Sequence, residues 1–236
     1  MIRLINNEFN KIKKSKLLFI DILFIISLFV IDYYSEENIL DLSFNLIPFL
    51  GVVICILFSG SICGEIESGT MRYYLTKPYR RYKVYLSKLI VIILYLLFSI
   101  SLIIVFSLVI NGSINYKYIY EYYIDSIPIL FLSSFILFLS IKFKSTVLVS
   151  CICVLTLCFS LIVSQVLFGI NIKIIEYTFL PYLDFSIFKD KNIVNTINSE
   201  YGVSVGLIKA IIVDSISFLL FSIYGIYKFN KKDIKS

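Results

Sequence analysis

Between Leu89 and Ile110 the chain runs 22 residues without a charge, and between Thr146 and Phe168 it runs 23. At 1.5 Å per residue, a helix of either length crosses a hydrocarbon core about 30 Å thick. Such helices are apolar on every side, which suits lipid better than a water-facing surface. Further apolar runs bring the expected spans to six, near 17–31, 46–63, 89–110, 126–141, 146–168 and 207–227. The first is short and carries Asp21, and the fourth carries Pro128. Only 16% of the 236 residues are charged, against about 25% in soluble domains. The pattern predicts an all-α membrane protein forming one domain over residues 1–236. No small-x-small cleavage pattern follows Val30, so the first run is expected to remain as a helix.

Charge sets the expected orientation. Of the 22 Lys and Arg residues, 17 fall before the first span, between spans two and three, between four and five, and in the tail. Ten of the 16 acids lie in the three opposite loops. By the positive-inside rule both termini face the cytoplasm, which an even number of spans requires. The outer segment near 169–205 is too apolar for a free loop. It is expected to pack on the outer span ends as short or re-entrant helices, interrupted at Pro181. Tyr33, Tyr34, Tyr116, Tyr118, Tyr120, Tyr122 and Tyr123 read as an aromatic belt at the outer ends.

Several function classes fall away. The chain has no His, which excludes Ser-His-Asp hydrolysis, Cys-His proteolysis and His-ligated zinc or haem. Its five cysteines (Cys55, Cys63, Cys151, Cys153, Cys158) sit in apolar runs without a Cys-x-x-Cys pair. They read as small packing residues and not as a metal or redox site. The basic excess serves topology, and nucleic acid is not an expected partner. An aspartyl mechanism would need Asp21 and Asp214 side by side, yet the loop charges place them near opposite membrane faces. No Gly-x-x-x-x-Gly-Lys-Ser/Thr loop occurs, so the chain cannot hydrolyse ATP by that route. It is not expected to be an enzyme.

Three patterns remain. Ile2, Ile5, Phe9 and Ile12 recur at helical spacing among Arg3, Asn6, Asn7, Asn10, Lys13 and Lys14, as in an amphipathic helix lying on anionic lipid. The stretch Gly64-Glu-Ile-Glu-Ser-Gly-Thr-Met-Arg-Tyr-Tyr-Leu-Thr-Lys-Pro-Tyr-Arg-Arg81 is too polar for lipid. Gly69 can break the preceding helix, Thr70 can cap a new one, and Pro78 ends it about two turns later. Such a short rigid helix could carry a push from a soluble partner into spans two and three. In span five, Ser and Thr suit helix–helix packing, with Gln165 the best exception as a substrate contact. Asp21 and Asp214 are candidates for a transport path, although both lie near span ends where a carboxylate can reach water.

These residues resemble the membrane subunit of ABC exporters of the type-2 permease family. That family shows a Glu four residues before Gly-Thr, then Leu-x-x-Pro-x-x-Arg, then a Lys seven residues on. Here stand Glu65, Gly69-Thr70, Leu75-Thr76-Lys77-Pro78-Tyr79-Arg80-Arg81 and Lys88, with Ser87 where the family has Gly. The opening Glu8-Phe9-Asn10-Lys11 is similar to the family's Glu-x-x-Lys start, and the ending Phe229–Ile234 resembles its aromatic, basic, Asp-Ile tail. The resemblance implies that 65–81 is a coupling helix seated in a cleft of a separate ATPase subunit. Glu65, Glu67, Gly69, Thr70, Arg72, Pro78, Arg80, Arg81 and Lys88 would form the docking and coupling set. ATP and magnesium would sit on that partner, with no cofactor on this chain, and a second permease chain would complete a homodimer or heterodimer. The composition, heavy in Ile, Lys, Asn and Tyr, suits an AT-rich bacterial genome and hence a bacterial plasma membrane. The function implied is export, in the manner of drug or peptide-antibiotic efflux. The alternative is a non-transporting membrane sensor or scaffold that binds an ATPase.

Overall fold

The computed structural model describes residues 1–14, 22, 26, 39–71, 80–111, 116–143, 145–170, 172–185, 188 and 191–231. The regular structure among them is helical. In chain order it comprises α1 (Ile2–Lys14), α2 (Ile39–Phe58), α3 (Cys63–Glu67), α4 (Arg81–Asn111), α5 (Tyr116–Asp125), α6 (Ile127–Lys142), α7 (Thr146–Gly169), α8 (Lys191–Tyr201) and α9 (Leu207–Lys231). Two 3-10 turns, Lys173–Tyr177 and Leu180–Tyr182, lie between α7 and α8. Among the described residues, five stretches are long and apolar enough to cross a membrane: Ile47–Glu67, Arg81–Val109, Ile119–Lys142, Thr146–Gly169 and Leu207–Lys231. They overlap five of the expected spans. The expected first span, with Asp21, lies outside the described residues except for Ile22 and Ile26, which are helical.

The bundle is built around α6. Twelve of its 16 residues are buried, and it packs against α2, α4, α7 and α9. Pro128 occupies its first turn, where the missing N–H has no intrahelical partner to lose. A central helix must satisfy its polar groups internally. Ser133 and Ser134 donate to the carbonyls of Leu130 (2.6 Å) and Phe131 (2.8 Å). Ser140 donates to Ile136 and reaches across to the Ser59 carbonyl, both at 2.8 Å. That carbonyl lies in the turn between α2 and α3, and the Cys63 thiol donates to it as well. Phe131 and Phe135 on α6, Phe221 on α9 and Phe179 from the outer segment form one ring cluster, the closest pair being Phe131 and Phe179 at 4.6 Å.

Several expectations need correction. The helix of the third expected span begins at Arg81, eight residues ahead of the apolar run. Its polar first turns stay helical because Tyr85, Ser87 and Lys88 are buried against other helices and not left to water. At 31 residues α4 is about 46 Å long, more than a hydrocarbon core. Tyr122 is no part of an aromatic belt: it is fully buried, with its hydroxyl 3.3 Å from that of Ser107 on α4. Its neighbours Tyr120 and Tyr123 point outward, since α5 is amphipathic. On α7 the hydroxyls of Ser150, Thr156, Ser160 and Ser164 do not bridge helices. Each donates to the carbonyl three residues back in the same helix. Cys151 and Cys158 are exposed on α7, so only Cys55, Cys63 and Cys153 are buried packing residues. Pro181 does not interrupt the outer segment but lies in the first turn of its second 3-10 turn, buried.

Between α4 and α9 the Tyr85 side chain packs directly on Gly225. A methyl group placed on Gly225 would press on the Tyr85 hydroxyl and lie 2.8 Å from the ring carbon bearing it. Gly225→Ala is therefore expected to destabilise by about 1–3 kcal/mol. The Tyr85 hydroxyl is buried without a hydrogen-bond partner among the described residues, so Tyr85→Phe should by itself be tolerated. Combined with Gly225→Ala it should recover part of the loss, as read by thermal unfolding in detergent.

Candidate functional site

Four charged side chains from three elements converge where α1 crosses the start of α4. Glu8 and Lys11 stand one turn apart on α1, Glu65 on α3, and Lys88 two turns into α4. Lys88 Nζ lies 3.1 Å from Glu8 Oε2 and 2.8 Å from Glu65 Oε1. Lys11 Nζ lies 3.2 Å from Glu8 Oε1 and 2.5 Å from Glu65 Oε1. The charges alternate around a ring with no net charge. Exposure grades it: the Lys88 side chain is 1% exposed, the two carboxylates 11% and 13%, and Lys11 45%. Burial alone would raise the Glu8 carboxyl, but Lys88 and Lys11 outweigh it and hold it below its ordinary value of 4.5.

The local folding follows from the sequence. On α1 the residues that pack inward are Leu4, Glu8 and Ile12, spaced by four. Ile2 and Phe9 of the expected apolar face are exposed. The two sets adjoin around the helix, so one edge of α1 meets the protein and the next is free for lipid. Gly69 follows α3 with φ +70, a backbone that glycine adopts without strain. Thr70 turns its hydroxyl back toward α3, 2.9 Å from that of Ser68 and donating at 3.4 Å to the Glu65 carbonyl. The ring lines a cavity of about 410 Å³ together with Leu57, Phe58, Ser61, Gly64 and Thr70. Glu65 Oε2 and Ser61 Oγ are both buried without a hydrogen-bond partner.

The remaining site residues are scattered. Glu67, Thr70 and Arg80 are exposed on the same end of the molecule. Arg81 donates to the carbonyl of Asn230 at 3.1 Å, tying the start of α4 to the last turn of α9. Lys88 cannot serve as a docking residue, because its ammonium is turned inward. Arg72 and Pro78 lie outside the described residues. Gln165 is exposed on α7 and far in sequence from every ring residue. Asp214 does not reach water near its span end. It is fully buried in the second turn of α9, and neither carboxylate oxygen has a hydrogen-bond partner among the described residues.

A second polar knot holds the outer segment, and no periodicity or spacing marks it in the sequence. Glu176 Oε2 accepts from the Ser204 backbone at 3.0 Å and lies 3.3 Å from Lys209 Nζ. The Ser204 N–H is the main influence keeping its carboxyl below the ordinary range, and Lys209 adds to it. Lys209 also sits 4.3 Å over the Tyr177 ring. Asn198 grips the Val205 backbone through both its carbonyl (2.8 Å) and its amide (3.0 Å).

Fold and ring together define, among the described residues, an all-helical arrangement with five membrane-length helices, clamped at one end by buried charge. The chain belongs to the protein family of unknown function DUF2705, which matches residues 9–235. No curated protein matches it.

Removing Lys88 leaves two buried carboxylates facing one another. Lys88→Ala is expected to cost about 3–5 kcal/mol. Lys11→Ala, at the wet rim, should cost well under 1 kcal/mol. The pH dependence has a definite sign. Because Glu8 is held below 4.5 in the folded chain, the stability it lends is complete above that pH and is lost as pH falls through the lower folded value. Thermal unfolding between pH 7 and pH 3 should show a steeper decline for the native chain than for Glu8→Gln.

Proposed function

We propose that this chain is the membrane-spanning subunit of an ATP-driven exporter of the type-2 ABC permease kind, working with a separate ATPase subunit. One observation carries the proposal. Glu8 and Lys11, Glu65, and Lys88 come from three separate motifs of the resemblance, and they meet in a single buried ring. A ring of this kind makes the cytoplasmic segment after α3 mechanically continuous with α1 and α4. A displacement of that segment by a nucleotide-driven partner would move both helices together.

In this reading the chain crosses a bacterial plasma membrane six times, with both termini in the cytoplasm and α1 on the inner leaflet. Residues 65–81 form the coupling segment, with Glu67, Thr70 and Arg80 as the exposed groups that meet the ATPase. ATP and magnesium are held by that partner. A second permease chain, identical or related, lies against the poorly buried face of α7, where Gln165 would otherwise place an amide in lipid. The buried, unpartnered Asp214 is the candidate for a group that the outward-open state exposes to the path. Apolar and hydroxyl-rich helices suit an amphipathic or lipid-like cargo, as in drug or peptide-antibiotic efflux.

The decisive experiment is purification of the tagged chain in mild detergent with identification of the proteins that accompany it. A near-stoichiometric partner carrying a Gly-x-x-x-x-Gly-Lys-Ser/Thr loop is expected. The double variant Glu67→Lys/Arg80→Glu should lose it while keeping the thermal stability of the native chain. Cargo should stimulate ATP turnover of the complex. Turnover that stays flat across amphipathic cargoes favours the sensor or scaffold, and a chain that emerges alone defeats the proposal.

A further inference from the structure

At the end of the bundle opposite the outer segment, a groove of about 720 Å³ opens between α6 and α9. Its rim carries Lys142, Lys228 and Lys231, and its wall is made by Phe138, Tyr224 and Tyr227. None of the three lysines pairs with a carboxylate among the described residues. Instead they are arranged on rings. Lys231 Nζ donates to the Tyr227 hydroxyl at 2.5 Å and lies 4.4 Å from that ring's centre. Lys228 sits 5.5 Å over Tyr224, and the two tyrosine rings are stacked 6.4 Å apart. The i to i+4 spacing of both Lys–Tyr pairs on α9 lays each ammonium back over the ring one turn earlier.

We propose that this groove binds the head group of an anionic phospholipid. Three cations lining one groove, with no carboxylate partner among the described residues, match a phosphate-bearing head, and basic pockets between membrane helices select such lipids. The apolar surface next to them argues for a lipid over a free anion. Leu220 and Ile223 stand one turn back along α9 on the face of Tyr224 and Tyr227, and they are 62% and 65% exposed. They offer a track on which an acyl chain can lie while its phosphate stays among the lysines. A second groove, of about 1060 Å³, lies at the other end of α9. There Lys209 is already neutralised by Glu176 at 3.3 Å, so the two grooves differ in free charge and not only in size. Lys142 and Lys231 are also the last residues of their helices, where cations complement the helix dipole. That role alone would not depend on which lipid is present.

The test uses the full chain in phosphatidylcholine nanodiscs. Phosphatidylglycerol, further phosphatidylcholine or inorganic phosphate is then supplied, with retained lipid counted by native mass spectrometry and stability read by thermal unfolding. Phosphatidylglycerol should be retained and should raise the melting temperature, whereas the other two should do neither. Each Lys→Gln change should weaken retention about fivefold, and Lys142→Gln/Lys228→Gln/Lys231→Gln roughly a hundredfold. Lys173→Gln/Lys191→Gln, at the far end, should leave it unchanged. Should the triple Gln variant fail to fold, the triple Lys→Arg variant must still retain phosphatidylglycerol and single Lys231→Gln must lose affinity. Equal retention by the Gln variants overturns the proposal, as does stabilisation by inorganic phosphate alone. So does a dimer that the substitutions dissolve without changing bound lipid. None of these outcomes depends on an ATPase partner.

Discussion

An ammonium group with 1% exposure in a low-dielectric interior is tolerable only where opposite charge surrounds it. Lys88 meets that condition through Glu8 and Glu65, at 3.1 Å and 2.8 Å. The dependence runs both ways. Each carboxylate needs Lys88, and two carboxylates on one lysine would leave a net negative charge were Lys11 not at the rim. The ring is therefore closed by charge balance, and its members tie together three helices whose apolar residues Leu4, Cys63 and Val84 share one core cluster. The α1 helix cannot leave without exposing Lys88, and α3 cannot turn without separating Glu65 from both lysines.

The rest of the bundle satisfies the same constraint by quieter means. Hydroxyls on α6 and α7 return to carbonyls three or four residues back, which removes their polarity without needing a neighbour. The exception is Ser140, whose second bond to the Ser59 carbonyl secures the turn between α2 and α3. That turn precedes Glu65 by six residues. Packing around α6 and the charge ring are thus joined through one carbonyl.

Much of this architecture is legible from sequence because an uncharged run of 22 residues allows few environments. The limits were physical. Residues 81–88 read as polar because composition cannot tell a lysine facing water from one facing two carboxylates. The face of α1 was placed by its isoleucines, yet Glu8 packs inward with Leu4 and Ile12, which only its distant partners explain. Glu8, Lys11, Glu65 and Lys88 were each visible within motifs, but their convergence depends on helix crossings that linear spacing does not encode. Glu67 and Arg80, expected as docking residues, carry no such long-range signature and simply remain exposed. The Glu176 knot was invisible for a related reason: its partners Ser204 and Lys209 lie beyond an intervening helix and fit no repeat.

The ring has a further consequence for the order in which the chain can take shape during synthesis. All four of its charges lie within the first 88 residues, so the clamp can close while most of the protein is still to be made. The centre of the bundle has the opposite timing. Phe131 and Phe135 on α6 wait for Phe221 on α9, and Arg81 at the start of α4 waits for the carbonyl of Asn230. The last of the described helices, α9, is thus the one that seals the core, and a chain halted before it would hold an assembled polar lock beside an open aromatic seam.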